Sequence, residues 1–153
     1  SKNNLYFTEF LTQYIGRIDA KTGAVRYFTT PTPGSRPRRM RMDAQDRLWF
    51  AEYGSNQIGM LDTNTEKFTE WKLPTPWTSP YYVTWDKNGD LWTGGMSTDR
   101  VVRLDPKTGQ TIEYLMPGDT NIRRVFVDNS TPIPTFWTGA NHTAQIVKVE
   151  PLD

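Results

Sequence analysis

Cysteine is absent from this sequence of 153 residues, and histidine occurs once. The chain therefore contains no disulfide framework, no thiolate metal ligand and no cysteine nucleophile. Neither sign of charge dominates, because 18 Lys and Arg stand against 17 Asp and Glu, so we expect no nucleic-acid partner. Hydrophobic residues make up 36% of the chain without forming a long run, so we expect no membrane span. A chain of this length is enough for one domain with a real core, and any functional site must be local.

Aromatic residues are abundant by contrast, at 13% of the chain, and they stand beside 11 Gly and 11 Pro. This mixture favours many short strands joined by turns. No window of about ten residues has the apolar spacing of a helix. The composition and spacing together predict an all-β fold.

A short aromatic motif recurs four times along the chain. The copies begin at Leu5, Leu48, Leu91 and Phe136, as in the segment LWFAEY at 48–53. Around each copy the sequence fits short strands, up to four in a unit of roughly 40 to 50 residues. A unit of that size with an aromatic signature is typical of a β-propeller blade. We therefore predict a β-propeller of four-stranded antiparallel blades; a β-sandwich whose strands merely look alike is the alternative.

The predicted blades are too few to close a ring. At this spacing the chain holds about three and a half blades, whereas closed propellers need at least about four. We therefore interpret residues 1–153 as a single partial propeller domain, the C-terminal part of a larger propeller. The remaining blades would lie upstream in the same protein or in a companion chain. An open, short solenoid of blades is the alternative.

The segment 48–76, LWFAEYGSNQIGMLDTNTEKFTEWKLPTP, resembles the blade repeat of the streptogramin (virginiamycin B) lyase family. It is similar, more loosely, to NHL-type and gluconolactonase propellers. The resemblance implies seven blades in the complete protein and a bacterial protein that is periplasmic or secreted, while a cytoplasmic location stays open. For true lyases it also implies magnesium-dependent ring opening of a cyclic depsipeptide antibiotic by elimination.

The resemblance also implies where catalytic residues would stand. Ring opening by elimination needs a base and a cation, and in the family these belong to a Glu-x-His element just after a second strand. His142 has the position of that base, while Ala140 stands where the glutamate would be. We therefore take His142 as the candidate catalytic residue and assign no metal ligand in this chain; Mg or Ca would belong to the complete propeller. A solvated loop histidine is the alternative.

A second set of candidates follows from propeller geometry, in which the loops entering the first strands and the loops following the second strands open on one face. On this face the sequence gathers the candidate ligand-binding residues Glu9, Arg38, Arg39, Glu52, Tyr53, Tyr81, Tyr82, Arg123 and Arg124. Guanidinium groups and aromatic walls suit an anionic or carbonyl-rich small molecule. Alternatively, the arginines pair with Glu9, Glu52 and neighbouring aromatic rings and so brace adjacent blades.

These observations predict a ligand- or protein-binding module with its site on that face. The alternative function is a metal-dependent lyase or a lactonase whose remaining active-site residues lie in the missing blades. A further repeated feature, the acids Asp19, Asp62 and Asp105, starts predicted turns. We expect these carboxylates to cap their turns and not to bind a metal.

Overall fold

The computed structural model describes residues 3–152, which form fourteen β-strands in four antiparallel sheets. The first sheet contains β1 (Leu5–Glu9), β2 (Tyr14–Ile18) and β3 (Val25–Thr29). The second contains β4 (Pro37–Met42), β5 (Arg47–Glu52), β6 (Gln57–Asp62) and β7 (Lys67–Lys72). The third contains β8 (Pro80–Trp85), β9 (Leu91–Gly95), β10 (Arg100–Leu104) and β11 (Thr111–Leu115). The fourth contains β12 (Val125–Asp128), β13 (Thr135–Ala140) and β14 (Gln145–Val149).

Each sheet is an antiparallel meander, because strands that are consecutive in sequence are neighbours in the sheet. The acids that start the predicted turns do cap them. Asp19 Oδ1 accepts the backbone N–H groups of Lys21 and Thr22 at 2.9 and 2.8 Å, and Asp62 and Asp105 make the corresponding bonds. These backbone hydrogen bonds favour the charged form and hold the pKa of all three carboxyls below its usual value.

The hydrophobic core lies between neighbouring sheets. β4 contacts both β1 and β8, and β8 contacts β12, so the sheets lean side by side in chain order. Because the central sheets are covered on both faces, every residue of β9 is buried, without the alternation of a half-exposed strand. Each large apolar side chain buried there stabilises the fold by about 1.5–3 kcal/mol. The prediction of a partial propeller with antiparallel blades is confirmed, and the β-sandwich alternative is wrong.

The two end sheets have three strands each, and the fourth has one uncovered face. Ile146 of β14 occupies the same repeat position as Ile15, Ile58 and Val101. Those three side chains are 0% exposed, whereas Ile146 is 81% exposed. The fourth sheet therefore presents to solvent apolar surface that a neighbouring sheet covers elsewhere in the fold. Between residues 3 and 152 no helix is long and apolar enough to cross a membrane.

Candidate functional site

Two β-bulges shape one end of the propeller. The pairing of β4 with β5 breaks between Pro37 and Met40, and the pairing of β8 with β9 breaks at the same place, between Pro80 and Val83. A bulge bends its strand and changes the direction of its side chains. The bulged pairs are Arg38-Arg39 and Tyr81-Tyr82. We define the Arg/Tyr face as Phe10, Arg36, Arg38, Arg39, Tyr53, Tyr81, Tyr82, Arg123 and Arg124.

Arginines and aromatic rings alternate across the Arg/Tyr face. The guanidinium carbon of Arg38 lies 4.0 Å from the ring centroid of Phe10 and 4.4 Å from that of Tyr81. Arg36 lies 4.7 Å from the Phe10 centroid and 5.4 Å from that of Tyr53. Such cation–π contacts hold the guanidinium planes in fixed positions between the rings. The sequence analysis missed Phe10, which follows β1 and ties the first sheet to the second.

The Tyr81 phenol is linked directly to the second sheet. Arg38 Nη2 donates a hydrogen bond to Tyr81 Oη at 2.5 Å. Burial by itself would raise the pKa of Tyr81, but the hydrogen bond and the charge of Arg38, assisted by Arg39, lower it below its usual value. Tyr82 is half-buried, and its carbonyl accepts a hydrogen bond from Thr93 Oγ1 at 2.7 Å, which fastens the bulge to β9.

The arginines of the face form no ion pair with an acidic residue that the structure describes. Within residues 3–152, no carboxylate lies within ion-pair distance of the five guanidinium groups, those of Arg36, Arg38, Arg39, Arg123 and Arg124. The alternative in which they pair with Glu9 and Glu52 is therefore wrong for the described residues. Bracing by aromatic rings does apply to Arg36 and Arg38. No carboxylate of residues 3–152 forms an ion pair that would compensate their positive charges.

A cavity of about 320 Å³ opens among these charges. Its lining consists of Arg39, Tyr81, Arg123, Arg124, Gly139 and Asn141. The three arginines are exposed, and Arg123 Nε donates to Asn121 Oδ1 at 2.9 Å. Three guanidinium groups around one cavity, with a phenol on its wall, offer several hydrogen-bond donors to a negatively charged or carbonyl oxygen.

The glutamates predicted for this face lie deeper. Glu52 is fully buried; its Oε2 accepts a hydrogen bond from Ser55 Oγ at 2.6 Å, while Oε1 has no hydrogen-bond partner in the part of the chain that the structure describes. Burial, with smaller contributions from the nearby Glu70, raises the pKa of Glu52 to about 8. The carboxyl is therefore protonated at neutral pH and offers no charge to a ligand. Glu9 is half-buried and accepts a hydrogen bond from Thr12 Oγ1 at 3.1 Å. A ligand-binding role for either residue stays a prediction.

His142 lies exposed in the turn between β13 and β14. It interacts electrostatically with Asp99, whose carboxylate accepts the Thr120 backbone N–H at 2.7 Å. That bond chiefly, with a small contribution from His142, lowers the pKa of Asp99. No group of three His, Asp or Glu side chains that could hold a metal ion occurs within residues 3–152. The described residues thus do not fit a metal ion on their own, and the catalytic role of His142 stays a prediction.

Comparison with known proteins agrees with this architecture. A model of the virginiamycin B lyase family matches residues 1–152. Virginiamycin B lyase from Staphylococcus aureus superposes with a TM-score of 0.81 at 22% identity, over 99% of this chain and 53% of that chain. A streptogramin B lyase gives a TM-score of 0.78 at 26% identity, over 97% of this chain and 51% of that chain. A catalytically inactive virginiamycin B lyase from Staphylococcus aureus, solved with quinupristin, gives 0.80 at 21% identity, over 99% and 53%.

The chain spans about half the length of these solved relatives. None of the curated proteins is similar enough in sequence to count as a relative. The two Staphylococcus aureus structures are too distant in sequence to show more than the shared fold. The family follows from the match over nearly the whole chain.

Proposed function

Because the chain belongs to the virginiamycin B lyase family, we propose that it is the ligand-binding part of a propeller of that family. The ligand is an anionic or carbonyl-rich small molecule, and it binds at the Arg/Tyr face. One observation carries this proposal: Arg39, Arg123 and Arg124 surround a cavity of about 320 Å³ without a carboxylate partner among the described residues. Uncompensated guanidinium groups around a cavity are typical of sites for negatively charged or carbonyl oxygens.

The proposal includes further blades as partners of this chain. The exposed Ile146 lies where three equivalent side chains are covered by a neighbouring sheet, and the solved relatives are about twice as long. Additional blades, from the same protein or a companion chain, would cover this surface and complete the ring. Burial of such apolar surface is a strong driving force for association.

Binding at the face is tested with two probes, citrate as an anion and quinupristin as a carbonyl-rich molecule. We expect the double variant Arg39→Ala/Arg124→Ala to bind the preferred probe at least about tenfold more weakly, since two charge-assisted hydrogen bonds are lost. Titration calorimetry measures the affinity and thermal melting measures Tm, which should hardly change because both side chains are exposed. Lys21→Ala, an exposed substitution elsewhere, is the matched control. A large fall in Tm would mean instead that the arginines hold the sheets together.

A lyase is the second candidate, favoured by the family and by the exposed position of His142 in the turn after β13. In the same experiment, quinupristin is incubated with the protein and Mg²⁺, and its ring opening is followed by chromatography. Turnover that is lost on chelation and in His142→Ala would establish the lyase. Saturable binding without turnover supports the binding module.

The location of the protein is part of the same proposal. We propose a bacterial protein, which the source of the solved Staphylococcus aureus relatives supports, and a location in the periplasm or outside the cell, which is what its resemblance implies. Fractionation of the native host, with an antibody against this chain, checks the placement. Recovery from the cytoplasmic fraction alone would contradict it.

A further inference from the structure

A larger cavity, of about 650 Å³, lies between the second and third sheets. It opens at the ends of the strands opposite to the Arg/Tyr face, where the turns after β4 and β8 come together. Its apolar walls come from both sheets and include Trp49, Met60, Trp71, Trp85 and Leu91. The volume falls within the range of roughly 300–1,000 Å³ that is usual for small-molecule sites.

The tryptophans of this cavity are held in place and partly accessible. Trp71 stacks on Trp49, with ring centroids 5.5 Å apart and an angle of 26° between the planes. The Trp49 indole N–H donates to Asp43 Oδ2 at 2.8 Å, and this bond fixes the Trp49 ring of the stack. Trp71 and Trp85 are only half-buried, and their indole N–H groups have no acceptor within the part of the chain that the structure describes. The Arg41 guanidinium carbon lies 5.2 Å from the ring centroid of Trp85 and covers part of that ring. The remaining surfaces of the two indoles, which come from neighbouring sheets, are offered to a flat ring.

The next interface shows how such a space is filled by the protein itself. Between the third and fourth sheets, Phe136 stacks on Trp92 with ring centroids 5.5 Å apart. At the corresponding place beside Trp49 the third sheet supplies Leu91, which has no ring. The aromatic packing that closes one interface is therefore incomplete in the other.

The rim of the cavity carries one ammonium group that can meet a negative group. The carboxylates of Asp43 and Asp86 are already engaged, since both oxygens of each accept hydrogen bonds, including those from Arg47 and from Trp92. The ammonium group of the exposed Lys107 makes no hydrogen bond or ion pair to any residue from 3 to 152. Its charge also acts on the carboxyls of Asp90 and Asp105, but its N–H groups are left to donate to a bound carboxylate.

We propose that this cavity binds a small molecule that combines a flat aromatic ring system with a carboxylate. The ring lies against Trp71 and Trp85, and the carboxylate lies beside Lys107. This site is separate from the Arg/Tyr face, and it does not depend on the function proposed for that face.

The test uses 2-naphthoate as the probe and the uncharged 2-naphthalenemethanol as its counterpart, with affinities from titration calorimetry on the intact protein. We expect both probes to bind saturably and naphthoate to bind more tightly. Lys107→Gln should weaken naphthoate about threefold, as expected for one partly exposed charge pair, and leave the alcohol unchanged. Lys72→Gln, an exposed lysine at the other end of β7, should change neither. Equal naphthoate affinity in Lys107→Gln and the parent protein would overturn the carboxylate assignment.

Leu91→Phe tests the position of the ring. The added phenyl group should close the cavity as Phe136 closes the next interface, and weaken both probes at least about tenfold. Circular dichroism and Tm show whether this variant folds; if it does not, Trp71→Leu replaces it, with the same expected loss. Absence of saturable binding to the parent protein, or parent-like affinity in the folded variant, would overturn the proposal. So would a loss of naphthoate binding in Arg39→Ala/Arg124→Ala, because the probe would then occupy the Arg/Tyr face.

Discussion

In the second and third sheets, a glutamate accepts the same pair of hydrogen bonds from the linker that leads into the sheet. The two sheets differ in the residue that faces the charge of this glutamate. Thr32 donates from its backbone N–H and hydroxyl to the two oxygens of Glu70, at 3.1 and 2.6 Å. Thr75 donates likewise to Glu113, at 3.3 and 2.6 Å. In the third sheet the Arg100 guanidinium lies 3.4 Å from Glu113. The second sheet has the neutral Gln57 at that repeat position.

The second sheet has a further carboxyl where the third has none. Glu52 stands near Glu70, whereas the corresponding residue of the third sheet is Gly95. Burial is the main reason why the Glu52 carboxyl keeps a proton, and the nearby Glu70, which has no cationic partner among the described residues, adds to this effect. The second sheet therefore holds a proton where the third has an arginine. One architecture therefore tolerates either solution, and in the second sheet Glu52 makes stability depend on pH near neutrality.

The largest effect should come from the buried carboxyl. Because the pKa of Glu52 is about 8 in the folded protein and its ordinary value is 4.5, the folded state holds a proton that the unfolded state releases between those values. The resulting stabilisation is complete below the lower pKa and is lost as pH rises through about 8, with a slope of up to about 1.4 kcal/mol per pH unit. Urea unfolding from pH 5 to 9 measures it. Glu52→Gln should remove this slope; equal slopes in the two proteins would contradict the prediction.

A smaller effect is expected where the second sheet meets the third at the bulges. Arg38→Gln removes the charge and the hydrogen bond that hold the pKa of Tyr81 down, so that pKa should rise toward its usual value. Loss of the cation–π contacts should also cost about 1 kcal/mol of unfolding free energy. Alkaline titration of tyrosinate absorbance, repeated in a Tyr81→Phe background, isolates this one phenol among the tyrosines. An unchanged difference titration would show that Arg38 does not tune Tyr81.

Much of this comparison could be predicted from sequence, because it rests on repeat position. The four copies of the motif, which begin at 5, 48, 91 and 136, fall in β1, β5, β9 and β13. The pairs Arg38-Arg39 and Tyr81-Tyr82 occupy the same position in successive repeats, and this shared position predicted that they lie on one face. The bulges between Pro37 and Met40 and between Pro80 and Val83 were missed. A bulge depends on pairing with a partner strand, and spacing along one chain does not encode that partner.

The depth of Glu52 was missed for a related reason. A signal was present, because Leu48, Phe50 and Glu52 alternate on one side of β5 and the first two are plainly core residues. The room for the carboxyl depends on Gly59 of the paired strand, where an added Cβ would touch both Phe50 and a Glu52 oxygen. The spacing of the motif predicts neither the space left beside Gly59 nor the proximity of Glu70. Phe10 was missed because its partners, Arg36 and Arg38, belong to the next sheet.

The smallest expected effect removes the cation of the third sheet. Arg100→Gln gives the third sheet the same neutral residue that the second sheet has at Gln57. The variant has no counterpart of the Glu52 carboxyl, since Gly95 is unchanged. The ion pair with Glu113 is partly exposed, with side chains 31% and 20% accessible, so we expect a loss of only about 0.5 kcal/mol. The loss should be the same from pH 5 to 9, because no second carboxyl is there to hold a proton. A new slope near neutral pH in urea unfolding of Arg100→Gln would contradict this prediction, because it would show that a single carboxyl facing a neutral residue is enough to hold a proton.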